Sequence, residues 1–263
     1  MTDPSTNVGH PILLPYLAPD DATAIGSLGH TFLWIAFVGL FLPALYMFNQ
    51  AMGQQDGRRY FHYVSALICF IASVAYLVMA TGNGSLYVYG HDATYRQFLF
   101  ARYIDWVFTT PLQLLDLAGL AGASSETTFI LITLDVLMII SGLIGALVGG
   151  YQTSCWAFWA FGMLFFLPII YILGSQLPHS SASSSAAAIY NTVSKLTIVS
   201  WSAYPLVWIL AEGTGIISAD VECILYTFLD IVAKSVFGLL ICGARDGLDG
   251  ALTKRNQALL SNA

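Results

Sequence analysis

The sequence predicts an all-α membrane protein, a bundle of seven transmembrane helices, from its composition and the spacing of its apolar segments. The 263 residues are 57% hydrophobic and only 9% charged, whereas soluble domains carry about 25% charged residues. Apolar residues concentrate in seven windows, each near the length of about 20 residues that spans roughly 30 Å of hydrocarbon as a helix. Short connections join these windows, so the chain holds one membrane domain. The windows cover about residues 29–49, 58–80, 95–117, 126–148, 152–174, 190–210 and 222–244.

The segments outside the windows are interpreted from their composition. Residues 1–26 are polar and proline-rich and lack the basic stretch and apolar core of a cleavable signal peptide, so we expect an exposed extracellular tail. The membrane domain then covers 27–249, and a cytoplasmic tail covers 250–263. The Gly- and Tyr-rich connection 83–97 is expected to form a short hairpin on the outer face. The Ser- and Ala-rich connection 176–190 is expected to be a mobile loop.

The basic residues predict the orientation of the bundle. Positive charge marks the cytoplasmic ends of transmembrane helices. One face of the bundle carries only Arg96, which places the N-terminus outside and the C-terminus in the cytoplasm. We therefore expect an integral multi-pass protein of the plasma membrane. The opposite face and the C-terminal tail carry Arg58, Arg59, Lys195, Arg245, Lys254 and Arg255.

Lys234 lies in the middle of the last apolar window, and its position is the strongest functional signal in the sequence. An ammonium group at that depth is costly unless it is paired, deprotonated or chemically converted. Asp230 lies one helical turn earlier on the same face. Two interpretations remain open: a structural ion pair that locks two helices, or an amine that forms a Schiff base with an aldehyde.

The third window carries a polar stripe, whose members recur at steps of three and four residues. The stripe must face the bundle interior, because lipid-facing charge is penalised. With the N-terminus outside, this helix runs inwards, so Asp105 lies near mid-membrane and Asp116 about 16 Å further towards the cytoplasm, at about 1.5 Å per residue. The stripe consists of Arg102, Asp105, Thr109, Gln113 and Asp116.

The order of these groups indicates a proton path. Two cations, Lys234 and Arg102, are expected to share a site with Asp105 and Asp230 and to favour their ionised forms, whereas burial without a basic neighbour favours the protonated form of Asp116. A proton donor, a relay nitrogen and an acceptor in this order are what a proton path needs. The alternative is that the carboxyl groups are neutral and structural.

Several aromatic residues lie at mid-helix depth, away from the membrane interfaces where Trp is usually enriched. Aromatic stripes are more often packing than a cofactor site. Around a buried lysine, however, a ring of aromatic side chains makes a slot for a long, flat, apolar molecule. The residues are Trp106, Trp159, Trp201, Tyr204 and Trp208.

Other classes of site are not supported by the sequence. The four cysteines lack the spacing of metal ligands, so we predict no metal site. The net charge of −6 comes without a basic patch, so we predict no nucleic-acid binding. We also expect no enzymatic activity.

Three segments resemble the microbial (type 1) rhodopsins, and in particular the bacteriorhodopsin-like proton pumps: RYIDWVFTTPLQLLD (102–116), WSAYPLVW (201–208) and LDIVAK (229–234). The resemblance covers about residues 27–249. It implies all-trans-retinal as cofactor, bound as a protonated Schiff base to Lys234, and light-driven outward transport of protons across the lipid bilayer.

The resemblance implies specific roles for the charged residues. Asp105, with Thr109, would be the counterion and proton acceptor, Asp230 the second counterion, and Asp116 the cytoplasmic donor, with a hydroxyl group from Ser65 nearby.

On the outer side, Arg102 would move between the counterions and the exit. Glu212 and Glu222 match a proton-release pair, although from the residues alone they would be plain surface carboxylates.

The resemblance also implies a set of retinal-contacting positions. Asp135 corresponds to a position near the ring end of the polyene. The implied contacts are Lys234, Tyr76, Trp106, Thr110, Gln113, Met138, Gly142, Trp159, Gly162, Phe166, Trp201, Tyr204, Pro205, Trp208 and Ala233.

Some positions depart from the bacteriorhodopsin pattern. Gln113 stands where leucine is usual, which predicts a pigment that absorbs to the blue of bacteriorhodopsin. The stretch from Trp208 to Glu212 is one residue shorter, which changes the geometry of the release pair.

Two rival functions stay open: a photosensory rhodopsin that signals through a separate partner, and a light-gated cation channel. A homo-oligomer, a trimer or a pentamer, is expected from the relatives.

Overall fold

The computed structural model describes residues 13–14, 22–54, 56–90, 94–177 and 184–244, and this part of the chain forms seven long helical segments. The last segment, Ala219–Gly243, is continuous: α7 passes through a π-helical stretch, Ile231–Val236, into α8, Phe237–Gly243. Shorter π-helical turns extend α5 through Ile172–Gln176 and α6 through Ile209–Gly213. The helices are α1 Ser27–Met52, α2 Asp56–Ala80, α3 Phe100–Ala121, α4 Ser125–Leu147, α5 Gln152–Tyr171, α6 Ser184–Trp208 and α7 Ala219–Asp230.

The helices have the length and polarity that a bilayer requires. Within the described residues, six are long and apolar enough to cross a membrane. The exception is α3, which carries the polar stripe. Large apolar side chains cover the outside, for example Phe129 at 71% exposure and Leu164 at 63%. Because hydrocarbon cannot solvate charge, this inside-out distribution confirms the predicted seven-helix membrane bundle.

The helix α3 is the centre of the bundle. It packs against α2 and α4 along its sides and also contacts α6. Arg102, Asp105 and Asp116 are all buried on it, and so are Thr109 and Gln113. The predicted stripe therefore faces the interior, where each polar group requires a partner.

The predicted hairpin is confirmed. The strands β2, Leu86–Tyr89, and β3, Tyr95–Phe98, pair antiparallel with Val88 opposite Arg96, and β1, Leu13–Leu14, pairs with β2 on its other side. The expectation that the third helix starts near residue 95 is therefore wrong. Residues 95–98 form a strand instead, since their backbone pairs with β2, and α3 starts at Phe100.

Two further predictions from composition concern the loop 176–190 and the N-terminal tail 1–26. The helix α6 already starts at Ser184, so the connection before it is shorter than the predicted loop 176–190. At the other end, Thr23 N donates to Tyr95 O at 2.7 Å and Ile25 is buried, which ties the start of α1 to the hairpin. Residues 1–12 and 15–21 of the proposed N-terminal tail and the whole proposed C-terminal tail lie outside the described residues.

Candidate functional site

Lys234 lies on the π-helical stretch of the seventh helix with its side chain 1% exposed. Its Nζ donates to Asp230 Oδ1 at 2.6 Å and to Asp105 Oδ2 at 2.9 Å. The two carboxylates come from different helices, and both are buried. The structure thus brings together the three groups predicted from the sequence, as a buried cation between two acids.

The two carboxyl groups have different surroundings. Asp230 accepts three hydrogen bonds, from Lys234 Nζ, from the Tyr76 hydroxyl at 2.6 Å and from the Tyr204 hydroxyl at 2.7 Å. Asp105 Oδ1 is buried without a hydrogen-bond partner among the residues that the structure covers. Thr109 donates to the main-chain carbonyl of Asp105 at 2.9 Å, not to its carboxyl group. Both oxygens of Asp230 therefore accept from donors, whereas one oxygen of Asp105 has no partner among the described residues.

Asp116 lies on the same helix as Asp105, towards its C-terminal end. Its side chain is fully buried, and Ser65 Oγ donates to Oδ2 at 3.0 Å. Within the described ranges, no ion pair reaches it, and Oδ1 has no hydrogen-bond partner. A buried carboxyl group without a cation is most stable in its neutral form.

A cavity adjoins Lys234 and is walled mostly by aromatic and aliphatic side chains. Thirteen of the fifteen predicted contact positions line it. The other two do not line the cavity but bond to residues of the site: the Tyr76 hydroxyl donates to Asp230, and the Ala233 carbonyl accepts from Gln113 Nε2 at 2.6 Å. The cavity is lined by Tyr103, Trp106, Thr110, Gln113, Met138, Ile139, Gly142, Trp159, Gly162, Met163, Phe166, Trp201, Tyr204, Pro205, Trp208, Tyr226 and Lys234.

The expectations missed some residues of the wall. Tyr103, Ile139 and Tyr226 were not predicted as site residues. Tyr226 precedes Asp230 by one helical turn, so the spacing of the seventh helix held a signal for it. Asp135, predicted near the ring end, does not line the cavity; it accepts a hydrogen bond from Thr110 Oγ1 at 2.7 Å and so fixes a residue that does.

Between this site and the hairpin lies a cluster of ion pairs. Arg102 Nη1 contacts Glu222 Oε1 at 2.6 Å, and Arg96 Nη2 contacts Glu222 Oε2 at 2.7 Å. The guanidinium of Arg102 also lies 4.2 Å from the centre of the Tyr226 ring. Among the described residues, Arg102 forms no ion pair with Asp105 or Asp230, so the expectation that it shares their site is not met. Glu222 and the Tyr226 ring hold it further out.

Neither glutamate is a plain surface group. Glu222 is 3% exposed, and Glu212 Oε2 is buried without a hydrogen-bond partner in the described part of the chain. The Tyr103 hydroxyl lies 3.5 Å from the other Glu212 oxygen. Sequence reasoning missed Arg96 as a functional residue; its signal was that it is the one basic residue assigned to the outer face.

The match with known proteins follows the same segments. Residues 27–248 match the sequence profile of the family described as bacteriorhodopsin-like protein. The chain belongs to this family. Members of the bacteriorhodopsin-like family bind retinal as their chromophore, so retinal is the cofactor of this integral membrane protein. The cavity fits that group, because its walls suit a flat apolar chain and an amine lies against it.

Individual relatives show what the family transports. Bacteriorhodopsin-I of Haloarcula marismortui is 37% identical over 240 residues, which are 87% of this chain and 94% of that protein. The light-driven proton pump rhodopsin of Coccomyxa subellipsoidea has a TM-score of 0.81 at 32% identity and covers 84% of this chain and 98% of its own. Halorhodopsin, a light-driven chloride pump, has the same TM-score of 0.81 at 25% identity, covering 86% and 99%. Since the bacteriorhodopsin-like fold serves different ions, the ion must be argued from the site.

Proposed function

We propose that this protein is a light-driven outward proton pump. The observation that carries the proposal is the position of Lys234 Nζ between two buried carboxylates, at 2.6 and 2.9 Å. A chloride ion at this place would meet two negative charges that already neutralise the ammonium. A carboxylate, in contrast, is itself a proton acceptor, which suits the site to protons.

The acceptor role is assigned to Asp105. Lys234 would hold retinal, and the bound group would supply a light-driven isomerisation that alters the direction and the proton affinity of Nζ. Asp105 takes the proton from Nζ because its Oδ1 is open, whereas both oxygens of Asp230 are engaged by donors. Asp230 stays ionised and orients Nζ.

Reprotonation is assigned to Asp116. It lies on the other side of Lys234 from the outer ion pairs, and Ser65 holds its carboxyl group in place. Leu114, Leu117 and Phe237 are fully buried around this inner half and keep water out of it. A neutral carboxyl group in such a place holds its proton until Nζ has lost its own.

The direction of transport rests on the orientation of the bundle. The hairpin side, with Arg96, is the outer face, and the basic residues Arg59 and Lys195 lie towards the other face. The proton then leaves through Asp105 on the outer side and is replaced from Asp116 on the cytoplasmic side. The result is net export.

The test is a transport measurement in cells that express the protein and are supplied with all-trans-retinal in unbuffered medium. Illumination should acidify the medium, and a protonophore should abolish the change. Lys234→Ala is the control that cannot hold the chromophore and should give no signal. Alkalinisation, or passive photocurrents that reverse with voltage, would refute the pump; slow photocycling without any pH change would favour a sensory role.

A further inference from the structure

We propose that Arg96 is a positioning residue that holds Glu222 as a fixed anion, and that Glu212 alone is the carboxyl group of the outer exit that binds and releases the proton. The proposal rests on the proposed pump function, because it concerns the exit of the same path. In the expected release pair, Glu212 and Glu222 would share a proton. In the present proposal only Glu212 binds the proton, and Glu222 stays ionised.

The first support is the geometry around Glu222. Each of its two carboxylate oxygens accepts from a different guanidinium, Oε1 from Arg102 at 2.6 Å and Oε2 from Arg96 at 2.7 Å. The side chains of Glu222 and Arg102 are 4% and 0% exposed, and that of Arg96 is 15% exposed. Charge-assisted hydrogen bonds of this length in a buried site are strong.

The second support is the anchoring of Arg96 itself. Its Nη1 donates to the main-chain carbonyl of Ile217 at 2.8 Å, so the guanidinium bridges the connection before α7 and the carboxylate of Glu222. Arg96 lies on β3, where its backbone pairs with Val88. The hairpin therefore fixes the position of the arginine backbone, and the contact with Ile217 fixes its guanidinium next to Glu222.

The third support is the charge balance. A proton on Glu222 would remove the anion that the buried guanidinium of Arg102 and the partly buried guanidinium of Arg96 share, and it would replace one acceptor oxygen by a donor that faces an arginine. Leaving a buried charge without its partner is strongly unfavourable. Both oxygens of Glu222 already accept from arginines, so protonation of Glu222 would break one of these contacts.

Glu212 has the opposite surroundings. Its Oε2 is buried without a partner among the described residues, and the Tyr103 hydroxyl approaches Oε1 only at 3.5 Å. Within the described ranges, Glu212 forms no ion pair with an arginine. It can therefore gain and lose a proton without breaking an existing salt bridge.

The first experiment reads the protonation of Glu222 directly and needs no transport. Infrared spectra of the retinal-bound protein in the dark, at neutral pH, are compared for wild type and Glu222→Gln. The difference should contain a carboxylate band and no carboxylic acid band. In Arg96→Gln, part of the Glu222 band should move into the carboxylic acid region. Arg96→Lys is the control for correct folding: it keeps the positive charge, so Glu222 should stay ionised.

The second experiment follows the proton. After a flash, deprotonation of Lys234 Nζ is recorded by absorbance and the released proton by a pH indicator. Glu212→Gln should delay the released proton by at least about tenfold without slowing deprotonation of Nζ. The matched control is Arg59→Gln, which removes a positive charge at the other end of the bundle, where Arg59 Nη2 donates to Gln54 O at 2.9 Å, and should leave the timing unchanged.

The outcomes separate this proposal from the pump itself. A carboxylic acid band from Glu222 in the dark wild type, or a dark spectrum of Arg96→Gln identical to wild type, would overturn the role of Arg96. Unchanged release in Glu212→Gln would overturn the role of Glu212. If Glu222 is ionised in the dark and its band changes in Arg96→Gln, but illuminated cells do not acidify the medium, only the proposed pump function is refuted.

Discussion

The side-chain amide of Gln113 donates a hydrogen bond to the main-chain carbonyl of Ala233, 2.6 Å away and one residue before Lys234. Ala233 belongs to the π-helical stretch Ile231–Val236, where the wider turn changes which backbone partners are available. Gln113 therefore has two functions in this structure. It lines the cavity, and it ties α3 to the backbone that carries the lysine.

Replacing this amide should change both colour and stability. In Gln113→Leu, the dipole beside the polyene is lost, so absorption should move to longer wavelength, and the side-chain hydrogen bond that ties α3 to the Ala233 carbonyl is lost, which costs about 0.5–1.5 kcal/mol. Absorption spectra and thermal bleaching of the purified pigment measure the two effects. An absorption maximum at or below that of wild type, or a wild-type maximum at or beyond that of bacteriorhodopsin, would contradict the tuning role.

Asp105→Asn should give a pigment that is shifted to the red and does not pump. The substitution removes one of the two negative charges next to Nζ and the open acceptor oxygen, while Asp230 remains. Spectra and illuminated vesicles report on the two properties separately. A matched comparison is Asp135→Asn, which alters a buried carboxyl group on α4 that bonds Thr110 but not Lys234; it should retain pumping.

Asp116→Asn should still lose the proton from Nζ after a flash but recover slowly, by at least about tenfold, because the internal donor is absent. The proton must then come from bulk water, so recovery should slow about tenfold for each unit that the pH rises, since the proton concentration falls tenfold. Flash photolysis across neutral pH measures this. If the variant recovers at the wild-type rate and this rate does not depend on pH, Asp116 is not the proton donor.

Asp220→Ala should lower thermal stability without changing colour. Asp220 Oδ1 accepts from Gly26 N at 2.7 Å and from Gly29 N at 2.9 Å, so a residue of α7 caps the N-terminus of α1. Loss of a helix cap typically costs about 1 kcal/mol. Thermal denaturation of the purified pigment is the measurement, and Asp220→Asn, which keeps an acceptor oxygen, should lose less. Equal melting temperatures for all three proteins would show that the contact does not stabilise α1.

Local patterns were sufficient to predict much of the site. The apolar windows and the placement of Lys234 identify the helices and the central cation, because helical periodicity is visible along the chain. The contacts of Lys234 with Asp105 and Asp230, of Tyr76 and Tyr204 with Asp230, and of Ser65 with Asp116 agree with the positions expected from the resemblance. The homo-oligomer and the roles of the individual residues stay predictions.

The contacts that were missed join segments far apart in the chain. Arg96 reaches Glu222 across 126 positions, and Gln113 reaches Ala233 across 120. The first contact depends on where the hairpin folds over the bundle, and the second on a π-helical stretch, which periodicity does not indicate. The start of α3 was predicted too early for a related reason, since residues 95–98 form a strand only through pairing with β2.

The contrast between Asp230 and Asp105 exists before any photon arrives. Two phenols, Tyr76 and Tyr204, donate to one acid, while Oδ1 of its neighbour has no partner in the described part of the chain. In the proposed pump, these two hydroxyl groups would determine which acid receives the proton, although neither of them carries it.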